Sequence, residues 1–385
     1  MEMYRGKIFN EEVFEKYLKT LPSTKKNALI SSGIYTNVNK YKAKLSDQVG
    51  GFAIVEPIKG RIGGTPVNYD GNTNIPKGAE RDTFYQRKVC FGRANSWGEY
   101  DFSADITNTN FKAEAGEVKE YWNEERQTTL LSILKGIFSM TGGVNGQFVD
   151  KHTYSVKGNL GADALNRATQ KALGDAKSEL TTMITHSMVS TNLEGLNLID
   201  FLKYTDAQGI EQDLTIGTFN GKLVIVDDGM PSEDKYEKTT DVSVDSSKTY
   251  YTRSGSESAG YTYTEVENPT DAQIANYYEK YTEYVTYVFK KGFFEYEDIG
   301  LVTNKAIELA RDPYDKGGKT DLISRIREAI IPTYISYVGV DTISPENSDF
   351  ENGSNWELAN NNKVGDNKVY VDDKLIPLAR VISRG

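Results

Sequence analysis

Residues 51–96 read GFAIVEPIKGRIGGTPVNYDGNTNIPKGAERDTFYQRKVCFGRANS. Both ends of this stretch, GFAIVEPI and RKVCFGRAN, are rich in residues that favour β-strands. Roughly 27 residues crowded with Gly, Pro, Asn, Asp and Arg lie between them. Two strands that flank a long, turn-rich excursion predict an extended β-hairpin. A loop of this length is usually functional or is stabilised by something outside its own domain, so the hairpin is the first indication of function.

The segment after the hairpin, residues 112–139, predicts a long amphipathic helix of roughly 40 Å. Its apolar residues recur at helical spacing and are Val118, Trp122, Leu130, Ile133, Leu134, Ile137 and Phe138. The first half is acidic, which complements the helix dipole. A second helix is predicted at 160–189, where apolar residues again recur every three or four positions.

The remaining segments predict an α+β fold, in which helices and strands are segregated. Strands are expected at 222–228, 284–298 and 332–340 and in the C-terminal IPLARVISR, with a short helix at 320–331. Residues 8–30 have the spacing of short amphipathic helices. Such helices need a partner surface, either on a neighbouring subunit or on their own domain.

Residues 232–280 differ from the sequence around them. They hold ten acidic and five basic residues, which is half of the chain's net charge of −10. Tyrosines are dense here and long aliphatic residues are scarce. This composition predicts a solvent-facing, β-rich insertion with a short helix at 271–278, and an insertion whose ends lie close together costs little loop entropy.

The whole-chain composition excludes several function classes. Lys and Arg number 45 against 55 Asp and Glu, a balance that repels nucleic acid. Cys90 is the only cysteine, so no intrachain disulfide can form. Neither a signal-peptide core nor an apolar run of ~20 residues is present, so we expect a protein made in a reducing cytoplasm and not inserted in a membrane.

Residues that could carry catalysis are few. His152 and His186 lack companions at metal-ligand spacing, and Cys90 lies inside a β-run as a small apolar residue would. Asp227 and Asp228 precede Gly-Met-Pro, which favours a structural turn over a Ca²⁺ or acid/base site. Phosphate-binding and nucleophile motifs are absent from the sequence. We therefore predict no catalytic residue, no cofactor and no metal.

The order of segments resembles the major capsid proteins of tailed bacteriophages with the Hong-Kong-97-type fold, especially a group from phages of Gram-positive bacteria. The stretches that carry the resemblance are GGTPVNYDGNT (63–73), FGRANSWGEYDFSADI (91–106), AGEVKEYWNEERQTTLLSILKGIFSM (115–140), FNGKLVIVDDGMP (219–231) and IPLARVISRG (376–385). Together they span most of the chain outside 232–280.

The resemblance implies a role for each segment. These roles are an N-terminal arm (1–50), an extension-loop hairpin (51–96), a peripheral domain with the long spine helix (97–145), an axial domain (146–231), a surface-exposed insertion (232–280), a second part of the axial domain (281–319), and the return to the peripheral domain with the C-terminal strand (320–385).

The implied function is structural. Copies of the chain would assemble into the pentamers and hexamers of an icosahedral phage head in the host cytoplasm and remain in the virion. The chain begins directly at the arm, so a separate scaffolding protein is expected. A portal protein is another expected partner, and a decoration protein is compatible with the family. The shell would enclose double-stranded DNA without sequence-specific binding. Covalent crosslinking between subunits is not predicted.

Charged residues of the hairpin and the spine helix are the candidate contacts between subunits. Arg61, Lys77 and Arg81 lie in the hairpin, and Glu117, Glu120 and Glu124 lie on the acidic half of the helix. Opposite charges that meet across a subunit boundary set register more than affinity. The alternative is that all six are ordinary solvated charges.

Three other functions compete with the capsid interpretation. An encapsulin-type compartment uses the same fold without a phage, and the insertion argues against it. A tail or baseplate structural protein would account for the Tyr-rich insertion. An enzyme with a non-local site, such as a hydrolase built around Asp227 and Asp228, would need an activity that depends on those residues.

Overall fold

The structure is a computed structural model of the chain. It describes residues 2–4, 7–9, 33–46, 53–62, 65–75, 81–101, 115–205, 211–256, 260–301, 306–339 and 344–384. The helices predicted within 8–30 lie almost entirely outside these ranges. Among the helices that are described, none combines the length and the hydropathy needed to cross a membrane.

The described elements alternate irregularly along the chain. The helices are α1 (Tyr41–Ser46), α2 (Ala115–Ile137), α3 (Gly143–His152), α4 (Ala162–Leu173), α5 (Ser187–Gly195) and α6 (Asn347–Glu351). The strands are β1 (Glu2–Tyr4), β2 (Lys7–Phe9), β3 (Tyr35–Asn37), β4 (Ala53–Lys59), β5 (Thr83–Val89), β6 (Phe91–Tyr100), β7 (Thr153–Ser155), β8 (Thr182–Thr185), β9 (Asp200–Thr205), β10 (Glu211–Phe219), β11 (Lys222–Val226), β12 (Ser232–Lys238), β13 (Tyr250–Ser256), β14 (Gly260–Glu265), β15 (Tyr277–Phe289), β16 (Phe294–Asp298), β17 (Ile307–Asp312), β18 (Lys319–Pro332), β19 (Ile335–Tyr337), β20 (Trp356–Leu358) and β21 (Leu378–Ser383).

The chain divides into two units, and it leaves the first unit and returns to it. The first unit comprises Met1–Val149 and Lys291–Ile376, and the second comprises Asp150–Lys290 and Pro377–Gly385. Each unit has its own main sheet and its own buried side chains.

The first unit is organised by the long strand β18. One edge of β18 pairs antiparallel with β6, from Lys319 opposite Tyr100 to Glu328 opposite Phe91. The other edge pairs with β17 in its first half and with β16 in its second half, and β3 adds in parallel to β16. A strand paired on both edges loses its free backbone donors and acceptors, which fixes its position.

Helix α2 packs on the β18 sheet through both apolar and polar contacts. Trp122 is buried with Val118 against Leu322, and its indole N–H donates to Ser324 Oγ at 2.9 Å. One turn later, Arg126 Nε lies 2.7 Å from Glu328 Oε2. The apolar face of α2 explains its burial, and the two polar contacts fix its register on the strand.

The second unit is built around β8 and the second half of β15, which pair antiparallel. On one side β8 pairs in parallel with β11, and β10 and β9 follow. On the other side β15 pairs with the C-terminal strand β21, which also pairs with β7. Helix α4 covers this sheet, and Leu165, Ala168 and Leu173 share its buried core with residues of the strands.

The insertion is a four-stranded sheet that continues from the core through the first half of β15. Its order is β12–β15–β13–β14, with every neighbour antiparallel. Tyr250, Ile274 and Tyr277 form a small core of its own, with Val244 and Val266 packed against them. The β-strands predicted within 232–280 are therefore observed, and the short helix is a 3₁₀ turn at Asp271–Asn276.

Two predicted helices are wrong in part or in full. Residues 320–331 belong to strand β18, because pairing on both edges outweighs a local composition that also suits a helix. The helix predicted at 160–189 ends at Leu173, where Gly174 adopts φ 60°. Met183 and Ile184, whose positions continue the helical spacing in the sequence, lie in the buried strand β8.

The two units divide two of the expected segments. Of the segment 281–319, residues 281–290 belong to the second unit and 291–319 to the first. The chain turns at Gly292 (φ 75°), after which β16 joins the β18 sheet. The C-terminal strand belongs to the second unit, because β21 pairs with β15 and β7.

Replacing Arg126 with alanine tests the contact between α2 and β18. Glu328 is almost fully buried, and burial raises the pKa of its carboxyl despite the bonds from Arg126 and Tyr296. Removing one partner of a buried ion pair costs about 3–5 kcal/mol. We expect Arg126→Ala to lose that much in urea unfolding at pH 8, and less at pH 5, where the stranded carboxyl can take up a proton.

Arg167→Ala is the matched control for this measurement. Arg167 pairs with Asp163 on an exposed helix face, where solvent screens the two charges, so its loss should change the free energy of unfolding far less. Equal losses from the two variants would contradict the role given to Arg126.

Candidate assembly surface

The predicted hairpin is present, and its base is fixed to the first unit. β4 and β5 pair antiparallel from Ala53 opposite Val89 to Lys59 opposite Thr83. Gln86 is buried and donates to the carbonyls of Pro332 and Ile335 at 2.7 and 2.8 Å. The backbone N–H of Tyr85 donates to Asn360 O at 2.7 Å. These bonds hold β5 at its root.

A buried cation, Lys88, links the hairpin to the β18 sheet. Its Nζ lies 2.5 Å from Glu56 Oε2 on β4 and 2.9 Å from Glu295 Oε2 on β16. It also donates to Tyr41 Oη at 2.5 Å, and Tyr41 Oη in turn donates to Glu295. Only 5% of the Lys88 side chain is exposed, so two carboxylates offset the cost of its desolvation. We call Lys88, Glu56, Glu295 and Tyr41 the root cluster.

The root cluster keeps its carboxylates charged. Burial alone would raise the pKa of Glu295, but hydrogen bonds from Tyr41, Lys88 and Lys40 outweigh it and lower the pKa to about 2. Burial would also raise the pKa of Glu56, but the hydrogen bond and the charge of Lys88 outweigh burial and lower this pKa. The stabilisation by Glu295 is complete above the ordinary carboxyl pKa near 4.5 and is lost as the pH falls toward 2, and the contribution of Glu56 is lost in the same direction.

The distal end of the hairpin is shaped by Asp70. Its Oδ1 accepts from the backbone N–H groups of Asn72 and Thr73 at 2.9 and 2.7 Å. Its Oδ2 accepts from Asn68 Nδ2 and Thr73 Oγ1. These bonds, first those of the two backbone groups, lower the pKa of Asp70 to about 2. Gly71 adopts φ 77° inside this turn, a conformation that favours glycine.

Large apolar side chains are exposed around this turn. Their exposed fractions are 79% for Ile62, 41% for Val67, 93% for Tyr69 and 73% for Ile75. Fully burying such a side chain is worth about 1.5–3 kcal/mol, so four of them exposed within one loop make this loop a candidate interaction surface. We call these four residues the tip patch.

The predicted charged contacts fall into different surroundings. Arg61 is exposed just beyond β4, whereas the Arg81 guanidinium donates to the Gly60 carbonyl and closes the neck of the hairpin. Lys77 lies outside the described residues. On α2, Glu117 and Glu120 are exposed and Glu124 is half-buried.

Sequence reasoning concentrated on charges and missed the apolar tip patch, the root cluster and Asp70. A signal for the turn was present, since Asn-Tyr-Asp-Gly-Asn carries the residues whose side chains form such turns. Nothing in the sequence indicated that Ile62 and Ile75 are exposed, because apolar residues of a hairpin occur both buried and exposed.

The residues considered for catalysis have local structural roles. His186 Nδ1 accepts from the backbone N–H of Met188 at the start of α5, and Asp227 Oδ1 accepts from that of Gly229 at 2.8 Å. The exposed Asp228 carboxylate lies 3.9 Å, at Oδ1, from Nε2 of the partly buried His186. Cys90 is buried beside Tyr41, and burial raises the pKa of its thiol. Within the described ranges, His, Cys, Asp and Glu side chains form no group able to hold a metal.

The sequence matches no protein-family model and no curated protein. In structure, the chain is similar to one from the acidic stable capsid structure of Helicobacter pylori bacteriophage KHP30, with 11% identity, a TM-score of 0.49 and coverage of 95% of this chain and 94% of that chain. It is also similar to a chain of the cyanophage Pam1 capsid, with 7% identity, a TM-score of 0.48 and coverage of 91% and 88%. A chain of the mature capsid of bacteriophage PhiM1 has 12% identity, a TM-score of 0.46 and coverage of 86% and 88%.

Replacing Lys88 with methionine tests the root cluster. The change takes the buried cation away from Glu56 and Glu295 and leaves them only the more exposed Lys40 and Lys44 as partners. Because these two lysines remain, the cost should be that of a lost buried hydrogen-bond donor, about 1–3 kcal/mol. We expect a loss of this size in urea unfolding at pH 7. Lys59→Met, on the exposed side of the same hairpin, should change the free energy of unfolding by less than about 0.5 kcal/mol. A Lys88→Met variant as stable as the wild type would contradict the role of the cluster.

Replacing Asp70 with alanine tests the turn at the tip. We expect several-fold faster exchange of the Asn72 and Thr73 amide hydrogens, relative to their intrinsic rates, in hydrogen-exchange measurements near neutral pH. Because the pKa of Asp70 is lowered to about 2, the wild-type turn should keep its protection at pH 5 and lose it only as the pH approaches that value.

Asp312→Ala serves as the control, since Asp312 accepts in the same way from the Tyr314 amide in another turn. That variant should speed exchange at Tyr314 and leave the tip unchanged. Unaltered exchange at Asn72 and Thr73 in Asp70→Ala would refute the assignment.

Proposed function

We propose that this chain is the major capsid protein of a tailed double-stranded-DNA bacteriophage, with the Hong-Kong-97-type fold. Its copies self-assemble into the pentamers and hexamers of an icosahedral head, and it acts as a structural subunit without catalytic activity. The sequence resemblance supports this function over most of the chain. The observation that carries it is a hairpin held rigidly at its root that exposes an apolar patch at its tip.

The contrast between the two ends of the hairpin supports a contact with another copy. A mobile hairpin could fold back and bury its own apolar residues. The root cluster and the bonds of Gln86 oppose this, because bending the root would strand buried charges and polar groups. The tip patch therefore needs a surface supplied by a neighbour, and in a closed shell every copy has one.

The same function gives a reason for the charges of the hairpin and of α2. We assign Arg61 and Lys77 to contacts with Glu117, Glu120 and Glu124 of a neighbouring copy. Arg81 also belongs to this set of hairpin charges, although its bond to Gly60 gives it a role inside the hairpin as well. Complementary charges of this kind select the register in which subunits dock.

The partners and location follow from this function. A separate scaffolding protein would guide the curvature of the shell, and a portal protein would occupy one vertex. A decoration protein on the outside of the shell is compatible with this function. The net charge of −10 suits a shell that encloses DNA without binding particular sequences. Assembly would take place in the host bacterial cytoplasm, and the mature protein would reside in the virion.

Serine substitutions in the tip patch test this function. The variant Ile62→Ser/Tyr69→Ser/Ile75→Ser should fold, because these side chains are exposed in the single chain. It should require at least about tenfold more protein than the wild type to form shells, since each buried apolar side chain is worth ~1.5–3 kcal/mol. Electron microscopy of the protein co-expressed with a scaffolding partner would count the particles.

Val242→Ser/Val364→Ser is the control, because these valines are 91% and 89% exposed outside the hairpin. This variant should assemble like the wild type. Normal shells from the tip variant would count against the function of the hairpin.

A charge exchange tests the proposed pairing between subunits. Arg61→Glu and Glu120→Arg should each lower the yield of shells, and the double variant should recover part of it if the two residues meet between copies. The effect should weaken at high salt, because exposed charges are screened. A normal yield from Arg61→Glu at low salt would exclude this contact.

A further inference from the structure

Strand β14 forms the outer edge of the insertion sheet. It runs from Gly260 to Glu265 with the sequence GYTYTE. In the described part of the chain it pairs only with β13, so its second edge carries backbone donors and acceptors that no other described strand takes up. Such an edge is a template for pairing with another strand.

The two outer strands of the insertion sheet differ in chemistry. β12, at the opposite end, reads SEDKYEK and is charged at five of its seven positions. β14 is charged only at Glu265, its last residue. Charged side chains along an edge discourage pairing between sheets, so β12 is protected and β14 is not. This difference is notable in an insertion that holds half of the chain's net charge.

The side chains of β14 already lie in a fixed arrangement. The Tyr263 ring stacks on Tyr236 at a centroid distance of 3.9 Å and an interplanar angle of 5°. The Arg253 guanidinium lies over the Tyr261 ring, 4.2 Å from its centroid. Thr262 and Thr264 alternate with these tyrosines and point to the other face of the sheet. A partner strand would meet rings that are already ordered, which lowers the entropy cost of association.

We propose that β14 pairs antiparallel with β14 of a second copy of this chain, about a two-fold axis at Thr262. A two-fold axis perpendicular to the sheet keeps equivalent faces of the two strands on the same side. Because the axis passes next to Thr262, this residue lies opposite the partner's Thr262. Tyr261 then lies opposite the partner's Tyr263, and the symmetry repeats this pair with the two copies exchanged. Gly260 lies opposite the partner's Thr264. Aromatic and Thr–Thr pairs directly opposite each other stabilise antiparallel strands.

The strand is complementary to itself in charge as well as in shape. In this register residues 260–264 of both copies face one another, and none of them is charged. Pairing with the β12 edge of another copy would instead set the aromatic strand against a row of charges. The second copy's β14 is therefore the occupant that fits this edge. The contact joins insertions and needs no closed shell, so it stands or falls separately from the capsid function.

A cysteine at the two-fold axis tests this contact. Directly opposite residues of antiparallel strands have Cα atoms about 4.5–5.5 Å apart, within the range that a disulfide spans. Thr262→Cys should give a disulfide-linked dimer on mild oxidation, read by non-reducing electrophoresis. The native Cys90 is 2% exposed and should not react. Thr252→Cys is the control, because Thr252 is exposed and lies in the part of β13 that pairs with β14 on one edge and with β15 on the other.

A second variant keeps the test informative if oxidation fails. Thr262→Lys would set two ammonium groups against each other at the axis and should weaken self-association of the unassembled protein several-fold in sedimentation. Its circular dichroism should match that of the wild type. The proposal would be overturned if Thr262→Cys stayed monomeric on oxidation or crosslinked no more than Thr252→Cys. Unchanged self-association of Thr262→Lys would overturn it as well.

Discussion

The ammonium group of Lys88 is the contact on which the geometry of the first unit depends. It joins β4 and β5 of the hairpin to β16 of the main sheet, and Tyr41 connects it to the segment that precedes the hairpin. A buried lysine is stable only while its carboxylates remain in place. The direction in which the hairpin leaves the unit is therefore set by the fold of the single chain.

A fixed direction has a consequence for the tip. Asp70 shapes the turn, and the apolar side chains of the tip patch are exposed to solvent in the single chain. Exposed apolar area of this kind favours aggregation of a monomer. In a particle it stabilises the contact between copies, because burial on a neighbour removes apolar surface from water. The stability of a shell then arises from many modest contacts repeated by symmetry.

The sequence predicted those elements whose signal is local. Helix α2 follows from apolar residues at helical spacing, and the hairpin follows from two β-rich runs around a turn-rich stretch. Strand β18 was mistaken for a helix because it is a strand through pairing on both edges, with the distant β6 and the neighbouring β17, and its local composition does not indicate that pairing. The root cluster was out of reach for the same reason: Lys88 and Glu295 are separated by 207 positions, and neither residue type indicates its partner.

The most direct test of this account is electron cryomicroscopy of the wild-type protein, assembled with a scaffolding partner, at a resolution that traces the hairpin. We expect closed shells in which the tip patch, Tyr69 above all, is buried against a neighbouring copy while Lys88 keeps both of its carboxylates. A protein that stays monomeric under all conditions, or particles in which the tip lies against its own chain, would contradict the account.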